Sequence, residues 1–364
     1  MARTSRRRRL IIAGFQQPGW LAVVRRTCLA SVLLNALIAH ADEARDEAWW
    51  TGPMLAPNAA TLPAGRALVE PYLFDEVTVG HFDASGARHS APREQDLGSL
   101  TYILYGLTDL MTVGVLPRFG YNMPPDAPNS SNVGIGDLTL QAAYGVVQYH
   151  DGHYTPAVSL VVQETLPTGR YDRLERASDG LGAGAYTTLL AVYSQDYFWM
   201  PSGRILRARL DVTYAFSSSA SVHDQSVYGT PYGFSGHAHP GDVFTIDAAG
   251  EYSVTRNWVL ALDLIYEHAD STRVSGSVPP GSGSVPPGSG SVPPDSGSVP
   301  PDSGSAASSA YQSESGSSYS LGFAPAIEYN FSSTVGVLLG VRIIEIGRNT
   351  AATITPAIAL NMVF

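Results

Sequence analysis

Ala357-Ile358-Ala359-Leu360-Asn361-Met362-Val363-Phe364 closes the chain. Ile358, Leu360, Met362 and Phe364 alternate with Ala357, Ala359, Asn361 and Val363. That is the two-residue period of a β-strand, with one greasy face and one mostly small or polar face. The pattern recurs upstream. Trp258, Leu260, Leu262, Leu264 and Tyr266 alternate with Val259, Ala261, Asp263, Ile265 and Glu267. Leu206, Ala208, Leu210, Val212, Tyr214 and Phe216 alternate with Ile205, Arg207, Arg209, Asp211 and Thr213. Residues 137–146 and 320–329 behave alike, with Pro325 predicting a bulge in the latter. A soluble sandwich turns its apolar faces inward, whereas a membrane barrel turns them to lipid.

Three features select the barrel. The strands run to roughly 10–14 residues, which suits a tilted crossing of about 9–11 and exceeds the soluble mode of about 5–6. Aromatics gather at one set of strand ends: Tyr149 and Tyr154, Tyr197 to Trp199, Tyr252 and Trp258, Tyr329 and Phe331, and Phe364. They predict an interfacial girdle. The connections also alternate in length. Twelve strands are expected near 66–82, 95–106, 111–121, 135–149, 156–167, 182–195, 204–217, 242–253, 258–269, 319–331, 335–347 and 353–364. Connections after even strands are short. Those after odd strands are long (83–94, 122–134, 168–181, 218–241 and 270–318), apart from the last, near 348–352. Short periplasmic turns and long extracellular loops are how such barrels sit. The fold class is therefore all-β: a transmembrane antiparallel β-barrel of about 12 strands, with both termini periplasmic.

Composition agrees. Of 364 residues 44% are apolar and 15% charged, and all 22 basic residues are Arg. So few charges exclude a coiled coil and an acidic disordered chain. Residues 1–41 read as a signal peptide: Arg6 to Arg9, Arg25 and Arg26, an apolar run over 29–39, and Ala39-His40-Ala41 as cleavage site. The consecutive Arg residues also fit twin-arginine export, but a membrane barrel must cross the inner membrane unfolded. Cleavage would remove the only Cys, Cys28, so no disulfide or thiolate chemistry is expected. It would leave 15 Arg against 32 acids, a net charge of −17 that phosphate would repel, so no nucleic acid is expected as partner.

Residues 42–65 form an N-terminal periplasmic segment carrying Trp49, Trp50, Pro53 and Pro57. It is expected to lie along the rim; the alternative is a partial plug. Residues 66–364 are the barrel. Within the 270–318 loop, residues 277–304 are four heptads of Ser-Val-Pro-Pro-(Gly/Asp)-Ser-Gly. This low-complexity tract cannot build a core and sits easily outside a barrel.

Several short motifs add a resemblance. They are Thr61-Leu-Pro-Ala-Gly-Arg66 with Glu70-Pro-Tyr72, Tyr105-Gly-Leu-Thr-Asp109, Val133-Gly-Ile-Gly-Asp137, Leu166-Pro-Thr-Gly169 and the terminal Phe364. In this order and spacing they resemble the outer-membrane β-barrel family named for the meta-pathway of phenol degradation, whose members are treated as transporters. The resemblance implies passage of a small solute, hydrophobic or aromatic by association with the family's name. It transfers no catalytic or binding residue. The heptad tract departs from the family pattern. The final aromatic also looks like the signal read by the barrel assembly machinery, a partner alongside outer-membrane lipid.

On the assigned phase the lumen holds Arg118, Asp137, Gln141, Arg207, Arg209, Asp211, Asp247, Glu251, Asp263, Glu267, Glu328 and Arg342. None of these faces lipid cheaply, since Arg at mid-membrane costs about 2–4 kcal/mol. They read either as a salt-bridged lining that stiffens the wall or as a charged constriction that orients a solute. Seven acids against four Arg predict a weak cation preference. The phase is ambiguous for strands 1, 2 and 6.

Enzymatic readings are weaker. His237-Ala-His239 lacks an acid–His pattern for a metal, and His268 near Ser271 has no supporting spacing for a hydrolase. Gly134-Ile-Gly136 precedes no helix, so it is no phosphate loop. No catalytic residue, metal or cofactor is expected. The chain thus reads as an outer-membrane channel of a Gram-negative-type cell. The alternative is a non-conducting structural or surface-interaction barrel that acts through its extracellular loops.

Overall fold

A computed structural model describes residues 48–150, 155–279 and 308–364. Residues 1–47, on which the expected signal peptide falls, Tyr154 and most of the heptad tract lie outside the described residues.

Twelve strands make the barrel. They are β1 (Ala67–Phe82), β2 (Gln95–Thr108), β3 (Met111–Leu116, resuming as Arg118–Met123), β4 (Leu138–Val147), β5 (Ala157–Leu166) and β6 (Thr187–Trp199). Then come β7 (Ile205–Ser217), β8 (Val243–Ser253), β9 (Trp258–Ala269), β10 (Ser318–Asn330), β11 (Val335–Arg348) and β12 (Thr350–Val363). Each pairs antiparallel with its sequence neighbours, and β12 returns to pair with β1, Leu68 opposite Val363 and Phe82 opposite Thr350. Closure leaves no open edge, which a sheet in hydrocarbon requires because lipid offers no hydrogen bonds.

The polarity is inside out. Along β12, Ile354, Ile358 and Leu360 are exposed, while Thr355, Ala357, Ala359 and Asn361 are buried. Along β9, Leu262 and Leu264 are exposed and Val259, Ala261 and Asp263 are buried. The connections alternate as the sequence implies, and the odd one out is a hairpin at Asn349, whose φ of 49° gives a left-handed turn.

Four details differ from the sequence reading. First, Pro117 splits β3: the first part pairs with β4, while the second pairs with the outer half of β2 and with Gly134–Ile135. Proline has no N–H for the ladder. Second, Pro325 makes no bulge. The ladder to β11 skips Ala324 and Pro325 and resumes unshifted at Ala326–Gly340; the register shift falls between Leu321 and Gly322. A missing N–H removes a bond but inserts no residue. Third, β6 runs from Thr187 rather than 182, because Gly182 and Ala183 belong to an outer loop held by Asp137.

Fourth, the 218–241 and 270–318 connections are not plain loops. Ala220–His223, Ser235–His239, Arg273–Val278 and Ser309–Glu314 form a second, four-stranded antiparallel sheet. Its small core contains Val222, Phe234, Ala238 and Val274. The heptad tract therefore leaves from Arg273–Val278, one strand of a hairpin. His237 and His239 lie in this sheet.

Candidate functional site

The N-terminal segment decides what the lumen looks like. Trp49 N donates to Arg256 O (2.9 Å) at the β8–β9 turn. At the far end Leu62 N donates to Thr112 Oγ1 (2.8 Å) and Ala64 N to Asp109 Oδ1 (2.9 Å), by the β2–β3 turn. Residues 49–64 thus run as a strap from one side of the periplasmic mouth to the other, through the lumen. The partial plug, not the rim, is what this structure places there.

Wall residues grip the strap by its backbone. An irregular segment has no ladder partners, so its buried N–H groups need acceptors. Asp263 on β9 takes three: Met54 N (3.0 Å), Leu55 N (3.2 Å) and Ala56 N (3.0 Å). Glu328 on β10 takes Thr51 N (2.7 Å) and Gly52 N (3.2 Å). Arg209 Nη1 donates to Ala56 O (2.7 Å), and Asn330 Nδ2 donates to Trp49 O (3.0 Å). Gly52 has φ of 137°, and a Cβ there would sit 3.7 Å from the Arg209 guanidinium. Glycine tolerates that backbone where other residues strain.

Packing completes the grip. Met54 lies among Ala261, Ala324, Ala326, Ala357 and Ala359. A Cβ at Gly340 would come within 3.0 Å of the Met54 sulfur. This explains the small side chains on the inner faces of β9 to β12: they leave a groove for the strap. Trp50 packs under Arg207, whose guanidinium carbon is 4.6 Å from the ring centre. Tyr149 and Tyr197 join this contact from the lumen side, Tyr197 at 6.2 Å from Trp50 and 4.9 Å from Tyr149. Those two tyrosines are therefore not part of the outer girdle, whereas Trp199, Trp258, Phe331 and Phe364 are exposed at that rim.

Ten of the twelve residues read as lumen-lining fall into three groups. Arg207, Arg209 and Glu251 form a buried cluster. Arg207 Nε donates to Glu251 Oε2 (2.6 Å), a second bond joins Arg207 Nη2 to Oε1, and Arg209 Nε lies 3.1 Å from Oε2. With Asp263 and Glu328 they belong to the strap's seat. Asp211 and Asp247 face each other across β7 and β8, buried near Arg209. Arg118, Gln141 and Arg342 line a cavity of about 450 Å³. Gln141 accepts a bond from Gln163 (2.9 Å), and Glu267 stands further out on β9, half-buried.

Asp137 does not line this cavity. It lies just before β4 and accepts from Gly169 N (2.8 Å) and Ala183 N (2.7 Å), closing the loop between β5 and β6. Tyr228 donates to the Ala183 carbonyl in the same outer cap, where burial pushes its phenol up to about 12. His268 Nε2 lies 3.4 Å from Asp270, with no bond to Ser271 among the described residues.

The cavity lies between the strap and the other half of the wall. That wall carries Glu70, Tyr72, Phe74 and Glu76 on β1, Tyr102 on β2 and Tyr193 on β6. Sequence reasoning missed these because aromatic or aliphatic residues occur on both faces of strands 1, 2 and 6. On β1, Leu73 faces out and Phe74 in, and even Asp75 falls on the outer face, bonded by Gln95 (2.7 Å). Glu70 and Glu76, six apart and so in one phase, were the readable signal.

The family described as "Putative MetA-pathway of phenol degradation" matches residues 77–285, more than half of the chain. The chain belongs to that family. No curated protein matches it. Among solved structures, an outer membrane channel from Pseudomonas putida F1 is 16% identical, with 85% of this chain and 100% of that one covered and a TM-score of 0.59. At that identity the likeness is one of fold, an outer-membrane barrel. The β domain of the Bordetella autotransporter BrkA (9% identical, 83% and 100% covered, TM-score 0.39) and the P. putida toluene transporter TodX (11%, 88% and 96%, TM-score 0.32) are also similar. They are too distant in shape to bear on this family member.

Proposed function

We propose that the barrel is a passive outer-membrane channel for small hydrophobic or aromatic solutes, narrowed from the periplasmic side by its own N-terminal strap. The observation that carries this is the unfilled lumen: a cavity of about 450 Å³ remains beside the strap. That volume is in the range that holds a small organic ligand, and its wall combines leucines and tyrosines with a few charges. A barrel serving only as a scaffold would gain stability by filling this space with side chains.

In this reading Arg118, Gln141 and Arg342 meet the solute. Glu251, Asp263 and Glu328 act on it only through the strap, while Arg207 and Arg209, which also border the cavity, are tied to Glu251. Residues 1–41 serve as the export signal, and Phe364 as the mark for barrel assembly. The family's description agrees with the solute class without assigning it.

Single-channel recording in planar bilayers tests the reading. The full mature chain should conduct in small steps, and deletion of residues 48–60 should raise the conductance. A wild-type chain that inserts and carries no current would favour the second reading, a non-conducting surface barrel. The structured outer sheet of Ala220–His223 and its three partners supports that alternative.

A further inference from the structure

The inward face of β1 reads Glu70, Tyr72, Phe74, Glu76: two carboxylates bracket two aromatic rings. Neighbouring strands supply positive charge at matching levels. Tyr72 is opposite Leu100, and Leu100 is opposite Arg118. Arg342 is opposite Thr355, whose hydroxyl donates to Glu76 (3.5 Å). Each Arg thus stands two strand spacings from β1, about 10 Å across the wall.

These four charges do not satisfy one another. Glu70 accepts a bond from Asn361 (3.2 Å). Among the described residues, no ion pair or side-chain hydrogen bond engages Arg118 or Arg342. The other two guanidinium groups at the cavity, Arg207 and Arg209, are committed to Glu251. The accessible lining therefore offers two carboxylates and two guanidinium groups around an aromatic strip.

A neutral apolar solute filling this space would strip water from all four charges and return nothing for it. An anion or a cation would match one pair and oppose the other. We propose that the cavity prefers small zwitterions with an apolar or aromatic side chain, the α-amino acid class. The ammonium group would sit at Glu70 or Glu76, the ring against Tyr72 and Phe74, and the carboxylate at Arg118 or Arg342. This rests on the channel reading above and narrows its solute.

The test is current blockade of the full mature chain in planar bilayers by four solutes of similar size: phenylalanine, phenylethylamine, hydrocinnamate and benzyl alcohol. Phenylalanine should block at the lowest concentration. Arg118→Gln should weaken block by phenylalanine and hydrocinnamate about five-fold, as expected for one partly exposed charge contact, and spare phenylethylamine. Glu70→Gln with Glu76→Gln should weaken phenylalanine and phenylethylamine and spare hydrocinnamate. Equal block by benzyl alcohol and phenylalanine in the wild type overturns the proposal, whether or not the variants fold. So does a ranking that neither variant changes. An ionic current without preference sinks this inference alone, whereas absence of any current sinks the channel reading with it.

Discussion

Replacing Asp263 with Ala should free the strap. The carboxylate accepts three successive N–H groups, from Met54, Leu55 and Ala56, at 3.0 to 3.2 Å. A hydrogen bond to a charged group contributes about 1.5–3 kcal/mol net. The three share one carboxylate, and the freed N–H groups regain water in the lumen, so the sum is well below three times that range. A loss of about 3 kcal/mol is a reasonable net figure, and at 1.4 kcal/mol per decade it shifts the seated–released equilibrium by about a hundredfold. The remaining hold is the Glu328 pair of bonds, the Arg209–Ala56 bond and the Met54 groove. Single-channel recording would show longer occupancy of a large-conductance state. Asp263→Asn keeps a carbonyl acceptor and loses the charge, so it should fall between wild type and Asp263→Ala. If Asp263→Ala matches wild type in step size and in open-state occupancy, the strap is not held as argued.

Other outcomes follow from the same contacts. Gly340→Leu should expel Met54 from its groove and raise conductance, while heat-modified mobility on a gel stays that of a folded barrel. Leu264→Arg puts a guanidinium in lipid and should destabilise the folded barrel by about 2–4 kcal/mol in a denaturant titration, whereas Leu264→Ile should be near neutral. Reversal potentials measure the ion preference. The sum of lumen charges predicts weak cation selectivity, and because the strap covers Asp263 and Glu328, deletion of residues 48–60 should strengthen it; clear anion selectivity in the deletion would contradict this. Removing residues 280–307 should leave folding and conductance unchanged, since the four-stranded outer sheet is built from residues flanking the tract.

The barrel was legible in the sequence because lipid imposes one rule on every strand. Each residue of β7, β9 or β12 faces either hydrocarbon or the interior, so a two-residue period written in Leu and Ile against Asp, Arg and Ala gives the wall and its polarity directly. Strand ends came within a few residues for the same reason. Where both faces carry large residues, as in Leu73 and Phe74 of β1, the rule loses its contrast, and the half of the lumen that lines the cavity was unreadable. Tertiary structure alone decided where residues 49–64 go. Asp263 and Glu328 look like pore charges in one dimension, and they become backbone acceptors only when a segment more than 200 residues earlier in the chain lies across them. Local pattern records what each strand must face. It cannot record which distant backbone arrives to use the carboxylates and the alanine groove.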